Sequence, residues 1–278
     1  MVIAILIVLG LCLGSFVNAL VWRLHEQERF VDKVDKDDPS LEALSIVRGH
    51  SMCSYCHHRL ATKDLIPVFS WLSLRGKCRY CNHVIEDNPL SEIIMPILFV
   101  LSYIYWPVSL HGLGLMQFCF WVLFVVGFVA LTIYDTRWYL LPDKIVFPLI
   151  FLVIVEVIIH IVFFKGGTGV LVSEFWGVII SSGLFFVLFQ FSKGQWIGGG
   201  DVKLGLLLGL ILGGPANSLM LLFLSSALGS LISIPLLIRG KVKRDTMIPY
   251  GPFLLAAAFI ITLFGDQVMH WINGLILS

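Results

Sequence analysis

The sequence predicts an all-α polytopic membrane protein of about eight transmembrane helices with a small cytosolic zinc-ribbon-like insert. Three observations predict it. Of the 278 residues, 58% are hydrophobic and only 13% charged, with a mean hydropathy of +0.92, which excludes an ordinary soluble domain. The apolar residues fall in long runs divided by short polar junctions. The one long hydrophilic stretch, 23–92, holds two CxxC pairs. A net charge of +1 gives no support to a nucleic-acid partner. Six unevenly placed cysteines are too few for a secreted disulfide scaffold.

The first apolar run, Met1 to Trp22, has no basic residue ahead of it, and Arg23 and Arg29 follow it. A cleavable signal peptide carries its charge in front, so 1–22 is expected to be an uncleaved span with its N-terminus outside. Further runs place spans near 93–110, 115–134, 145–164, 170–191, 202–213, 216–238 and 250–272. With that orientation, 18 of the 19 Lys and Arg residues fall in the segments 23–92, 135–144, 192–203 and 239–249, and only Lys165 lies on the other face. The positive-inside rule makes those segments cytosolic. The expected organisation is a first span (1–22), a cytosolic zinc-binding domain (23–92) and a membrane-embedded core (93–278).

The insert begins with a charged run from Asp32 to Pro39, read as a solvated linker. Cys53-Ser54-Tyr55-Cys56 and Cys78-Arg79-Tyr80-Cys81 follow, two knuckles 21 residues apart. Four thiolates on two tight turns suit tetrahedral Zn²⁺. The competing reading is a pair of disulfides, which a reducing cytosol disfavours. Zinc here is structural, since so small an insert lacks a core of its own. His57, His58 and His83 stand near enough to substitute as ligands, though four cysteines need none of them. Cys12 and Cys119 lie inside spans and are expected to be packing residues.

Chemistry is expected at Asp135 and Asp201. Ionisable groups are rare in apolar segments and are functional candidates by default. Asp135 ends the third span and Asp201 begins the sixth. Two complete crossings separate them, so both lie at the cytosolic boundary and are free to meet. Two carboxylates sharing one proton can hydrolyse a peptide bond without metal or covalent intermediate. Gly198-Gly199-Gly200 before Asp201 removes side chains and permits positive φ. Gly205, Gly209 and Gly213 make a smooth face expected to bring Asp201 against the helix bearing Asp135. The bland alternatives are solvated span ends and a packing stripe. Asp143, after Leu141-Pro142, is a rival for Asp135, but it suits the start of the fourth helix. Glu156 and His160 share a helix face, roughly 16 Å from that helix's start at about 1.5 Å per residue, and suit interhelical packing.

Together these features resemble the type IV prepilin leader peptidases, membrane aspartic peptidases of the GxGD type that also N-methylate their product. The resemblance runs through Gly10, Gly14-Ser15-Phe16-Val17-Asn18 and Arg23-Leu24, then both CxxC pairs, Ile66-Pro67-Val68-Phe69-Ser70-Trp71, Leu74-Arg75-Gly76-Lys77-Cys78 and Pro89-Leu90-Ser91-Glu92. It ends on Asp135, Leu141-Pro142-Asp143 and Gly198-Gly199-Gly200-Asp201-Val202-Lys203-Leu204. His25, Ser54 and Lys63-Asp64-Leu65 depart from the family's common residues. The resemblance implies that Asp135 and Asp201 are catalytic, with Gly198, Gly200 and Lys203 in support. It implies prepilin or pseudopilin substrates of a type IV pilus or type II secretion system, S-adenosyl-L-methionine as methyl donor, and the inner membrane. The insert would then be the methyltransferase part and 93–278 the peptidase core. Glu92 is a candidate for neutralising a substrate amine or cofactor charge, or a helix N-terminal acid. Two further readings stand beside this one: a peptidase without methylation, and a non-enzymatic membrane scaffold that docks partners through its zinc insert.

Overall fold

The computed structural model describes residues 1–31, 44–45, 49–85, 89–164, 167–240 and 247–277. The charged run after Val31, together with Arg48, Lys165, Lys241, Lys243 and Arg244, lies outside the described residues. Among the described residues every regular element is helical: α1 (Val2–Val31), a 3₁₀ turn (Thr62–Leu65), α2 (Phe69–Ser73), α3 (Leu90–Ile104), α4 (Leu113–Trp138), α5 (Asp143–Phe164), α6 (Gly167–Ser192), α7 (Gly199–Leu212), α8 (Pro215–Ile238) and α9 (Gly251–Leu277).

Six of these, α1, α4, α5, α6, α8 and α9, are long and apolar enough to cross a membrane. The 15-residue α3 and 14-residue α7 stand where the second and sixth expected spans fall, so among the described residues eight helices occupy the eight expected positions but only six have the length of a span. The ends differ for local reasons. α3 stops at Ile104 rather than near 110 because Trp106 precedes Pro107, and a residue before proline is pushed out of the helical region. α7 stops at Leu212 because Gly213 and Gly214 follow at φ 57° and 72°, and Pro215 then opens α8. α1 runs on past Trp22 to Val31. Its extension is anchored: Arg23 is buried and its guanidinium donates to Ser45 O (3.2 Å) and Gly49 O (3.4 Å).

The chain forms two compact units, Met1–Ile104 and Tyr105–Ser278. In the first, α1 lies against α3 at backbone contact. A Cβ on Gly10 would sit 2.5 Å from Pro96 Cα, and one on Gly14 would sit 2.6 Å from Ser91 O. Ser91 Oγ donates to Gly14 O across the same seam (3.1 Å). Both glycines are therefore required by space. Gly10→Val is expected to part the helices and cost about 1–3 kcal/mol, read as a lower melting temperature in detergent, with Gly10→Ala between it and the native protein.

The second unit holds the larger core, including Phe124, Val125, Leu131, Tyr134, Leu204, Leu207 and Leu208, all at most 1% exposed. The glycine stripe of α7 does not face α4, as the sequence suggested. It faces α6: a Cβ on Gly205 would meet Phe185 Cδ2 at 2.9 Å, and one on Gly209 would meet Gly177 O at 2.8 Å. Small hydroxyls on α6 make this approach favourable, because each can satisfy a carbonyl across the seam. Ser181 Oγ lies 2.8 Å from Gly205 O, and Ser182 Oγ donates to Val202 O (3.0 Å). Cys12 and Cys119 are exposed and so face outward instead of packing inside.

Candidate active site and metal centre

Asp135 sits in the last turn of α4. That helix ends where Tyr139 adopts the left-handed conformation (φ 57°) and its N–H closes on Asp135 O. The Asp135 side chain is turned inward, with the residue only 6% exposed. Asp201 lies in the first turn of α7, whose N-cap is Gly198 in extended conformation. The C-terminal end of α4 and the N-terminal ends of α5, α7 and α9 thus share one end of the unit. The Asp135 and Asp201 carboxylates are close enough to interact electrostatically. Leu141 fills the space between their supports, lying beside Gly200 (3.1 Å from a Cβ there) and beside Gly251 (3.6 Å).

The three glycines before Asp201 work differently from expectation. None of them takes positive φ, because Gly199 and Gly200 already belong to α7. What they provide is room: a Cβ on Gly200 would press on Leu141, and one on Gly198 would touch Asp201 Oδ2 at 3.7 Å.

Sequence reasoning missed Gly251. Its backbone N–H donates to Asp135 Oδ2 at 3.0 Å, and a Cβ there would lie 2.6 Å from that oxygen. Tyr250 steadies the turn through its hydroxyl, 2.7 Å from Ser225 Oγ. The available signal was glycine placed between Tyr250 and Pro252 at the start of the last span, where Pro at the second helical position leaves a free N–H just ahead of it.

Lys203, two residues beyond Asp201, donates to Asp143 Oδ1 (2.6 Å) and lies over the Phe147 ring (5.5 Å). Asp143 is the first residue of α5, as its sequence context suggested, and it ties that helix start to the one bearing Asp201. The pair is half-exposed, so it adds only about 0.2–1 kcal/mol to stability. Lys203→Met is expected to lower kcat several-fold with little change in melting temperature, and the charge-swapped Asp143→Lys/Lys203→Asp pair to recover part of it. Glu156 is not part of this site. It lines a separate polar cavity of about 280 Å³ with Asn217, Thr262 and Asp266.

In the first unit the two CxxC knuckles repeat each other residue for residue. Cys53 N donates to His58 O (3.1 Å) as Cys78 N does to His83 O (2.8 Å), and His57 and Asn82 take the same left-handed φ, 54° and 55°. Isolated bridges join Met52 to Arg59 and Lys77 to Val84. The rings exchange across the repeat: Tyr55 stacks on His83 (3.9 Å between centroids) and His58 on Tyr80 (3.8 Å). These histidines are thereby used as rings, not ligands. The sulfurs of Cys53, Cys56, Cys78 and Cys81 all lie within 4.8 Å of one another. Tetrahedral zinc with bonds of about 2.3 Å requires sulfurs about 3.8 Å apart, and Cys53 Sγ to Cys81 Sγ is 3.9 Å. All four cysteines are free, which disfavours the disulfide reading. Burial pushes the Cys78 thiol up, but hydrogen bonds from the Tyr80 and Cys81 N–H groups outweigh it and hold the thiol at about 7. Asp64 braces the second knuckle, accepting from Arg79 Nε (2.7 Å) and Tyr80 Oη (3.0 Å). Burial alone would raise its carboxyl, yet these two bonds and the Ala61 N–H keep it below the usual carboxylate range.

A helical membrane unit with two carboxylates at one end, preceded by a unit with a four-cysteine module, defines a narrow class. The family described as bacterial peptidase A24 N-terminal domain matches residues 8–106, and the type IV leader peptidase family matches residues 118–234. A prepilin leader peptidase/N-methyltransferase of Stutzerimonas stutzeri is 31% identical over 277 residues, covering 94% of this chain and 90% of that one. Proteins with the same description from Pseudomonas aeruginosa (30% identical, 94% and 90% covered) and Bacillus subtilis (26% identical, 97% of each) are also similar. No solved structure matches. The chain belongs to the type IV leader peptidase family.

Proposed function

We propose that this protein is a bifunctional enzyme. It cleaves the leader from type IV prepilins or pseudopilins at the cytosolic face of the bacterial inner membrane, then N-methylates the new N-terminal residue. The observation that carries the reading is the convergence of Asp135 and Asp201 at one end of the second unit, with the Gly251 N–H on Asp135. Two carboxylates brought into one site can hold one proton between them. The ionised member takes a proton from water while the protonated member donates to the scissile carbonyl oxygen, and the roles reverse as the amine leaves. The Gly251 N–H stabilises Asp135 in its ionised form, which favours Asp135 as the group that activates water. Gly198 and Gly200 leave room for a substrate backbone, and Lys203 positions the helix that carries Asp201.

A prepilin has a basic leader in the cytosol and an apolar helix in the bilayer, so its cleavage point lies at the inner boundary. The crossing parity and the distribution of Lys and Arg in the sequence support a position for both carboxylates at that boundary. In this reading the insert 23–92 holds Zn²⁺ through its four cysteines and contributes to methylation, S-adenosyl-L-methionine supplies the methyl group, and 93–278 forms the peptidase core. Co-expression with a prepilin and intact mass measurement of the product tests it. A product that has lost its leader and gained one methyl group is expected. Cleavage without the methyl group would leave a peptidase alone, and intact prepilin would favour the scaffold reading.

A further inference from the structure

The first unit contains a cavity of about 190 Å³ that the carboxylate pair does not use. It lies between α1, which contributes Asn18 and Trp22, Trp71 on α2, and Glu92 at the start of α3, and it backs onto the metal module at Cys53 and Cys78. We propose that this cavity binds the methyl donor, a sulfonium cation joined to a purine nucleoside, with Glu92 and the indoles of Trp22 and Trp71 recognising it. The inference rests on the methylation reading above and gives that activity a place.

Three observations carry it. First, a sulfonium is a soft cation, and carboxylates and indole faces are the groups that attract one in a partly dry site. The cavity lining holds two indoles and two carboxylates; Asp64 is already paired with Arg79, which leaves Glu92 for a cation. Second, the carboxylate is held in place. Glu92 Oε2 accepts the Val68 N–H at 2.6 Å, and Val68 stands at φ 62°, ψ −49°, a conformation that β-branched residues avoid. Such strain persists where the surroundings impose it, commonly at ligand sites. Third, Trp71 Nε1 is buried without a hydrogen-bond partner. A buried unpaired donor is costly, and a ligand acceptor such as a purine nitrogen would satisfy it. The ring can occupy this position because residue 76 is glycine at φ 71°, where a Cβ would lie 3.1 Å from the indole. A mainly apolar enclosure with a few converging polar groups is the usual form of a small-molecule site.

The test uses the full-length, zinc-loaded protein in detergent without pilin. S-adenosyl-L-methionine is photocrosslinked to it and the labelled peptides are mapped by mass spectrometry, while calorimetry gives the affinity. Label is expected on the peptides carrying Trp22 or Trp71. Trp71→Phe, which keeps an aromatic face but removes the indole N–H, and Glu92→Gln are each expected to weaken binding about tenfold, with bound zinc retained as the check on folding. Glu92→Asp should recover part of the loss, and Trp22→Leu provides an independent variant away from Val68. Label confined to residues 105–278, or native affinity in the folded variants, overturns this placement while leaving methylation intact. A native protein that binds no donor and yields unmethylated pilin overturns the methylation reading and this inference with it.

Discussion

Asp135→Asn and Asp201→Asn are each expected to slow leader cleavage by about three orders of magnitude or more, with the protein still inserted and folded. The amide nearly reproduces the shape of the carboxylate, and an asparagine at 135 still presents an oxygen to the Gly251 N–H. It cannot take a proton from water or share one with its partner. Because the two groups act as one unit, the double variant is expected to be no slower than either single variant. Asp143→Asn provides the contrast: it weakens the contact to Lys203 but touches neither reacting proton, so its loss should be several-fold only. Cleavage is followed by the mobility of a prepilin on gels over time, and folding by the melting temperature in detergent. Native-rate cleavage by a folded Asp135→Asn or Asp201→Asn protein would remove the pair from catalysis.

Gly251→Ala probes the same oxygen from the other side. The added Cβ lies 2.6 Å from Asp135 Oδ2, so the carboxylate must turn and lose its backbone partner. This residue shows where reading a sequence reaches its limit. The two aspartates were accessible because a bilayer makes apolar runs obligatory and charges within them conspicuous, and because an even number of crossings returns the chain to one side. The four cysteines were accessible because ligand spacing is local. Gly251 meets Asp135 from far along the chain through a main-chain N–H, and no periodicity reports such a contact. The facing of Gly205 and Gly209 was hidden for a related reason. A smooth helix stripe states that something packs closely, and the choice of α6 depends on Ser181 and Ser182 meeting the stripe at the right height. The exchanged stacking of Tyr55 on His83 and His58 on Tyr80 likewise requires the two knuckles to be folded against each other before it can be seen.

Removing the metal is expected to have the other large effect, confined to the first unit. Among the described residues 44–85, the buried apolar side chains are Leu44 and Cys78 alone, too little to hold a folded module against its chain entropy. Binding energy for a structural four-ligand zinc, on the order of 10–16 kcal/mol in zinc-finger peptides, is as large as the whole stability of a typical domain, about 5–15 kcal/mol. Cys78→Ser takes away a ligand that is itself buried, so the module is expected to lose zinc and its knuckle structure. Methylation and donor binding should then fall below detection. The second unit has its own buried core and its own carboxylates, so leader cleavage should persist in the zinc-free protein at a substantial fraction of the native rate. The measurement is metal content by mass spectrometry beside the mass of the processed pilin, before and after chelation. A native protein that carries no zinc, or whose cysteines are found paired as two disulfides, would defeat the metal assignment. Full methylation by a zinc-free protein would separate the module from that activity.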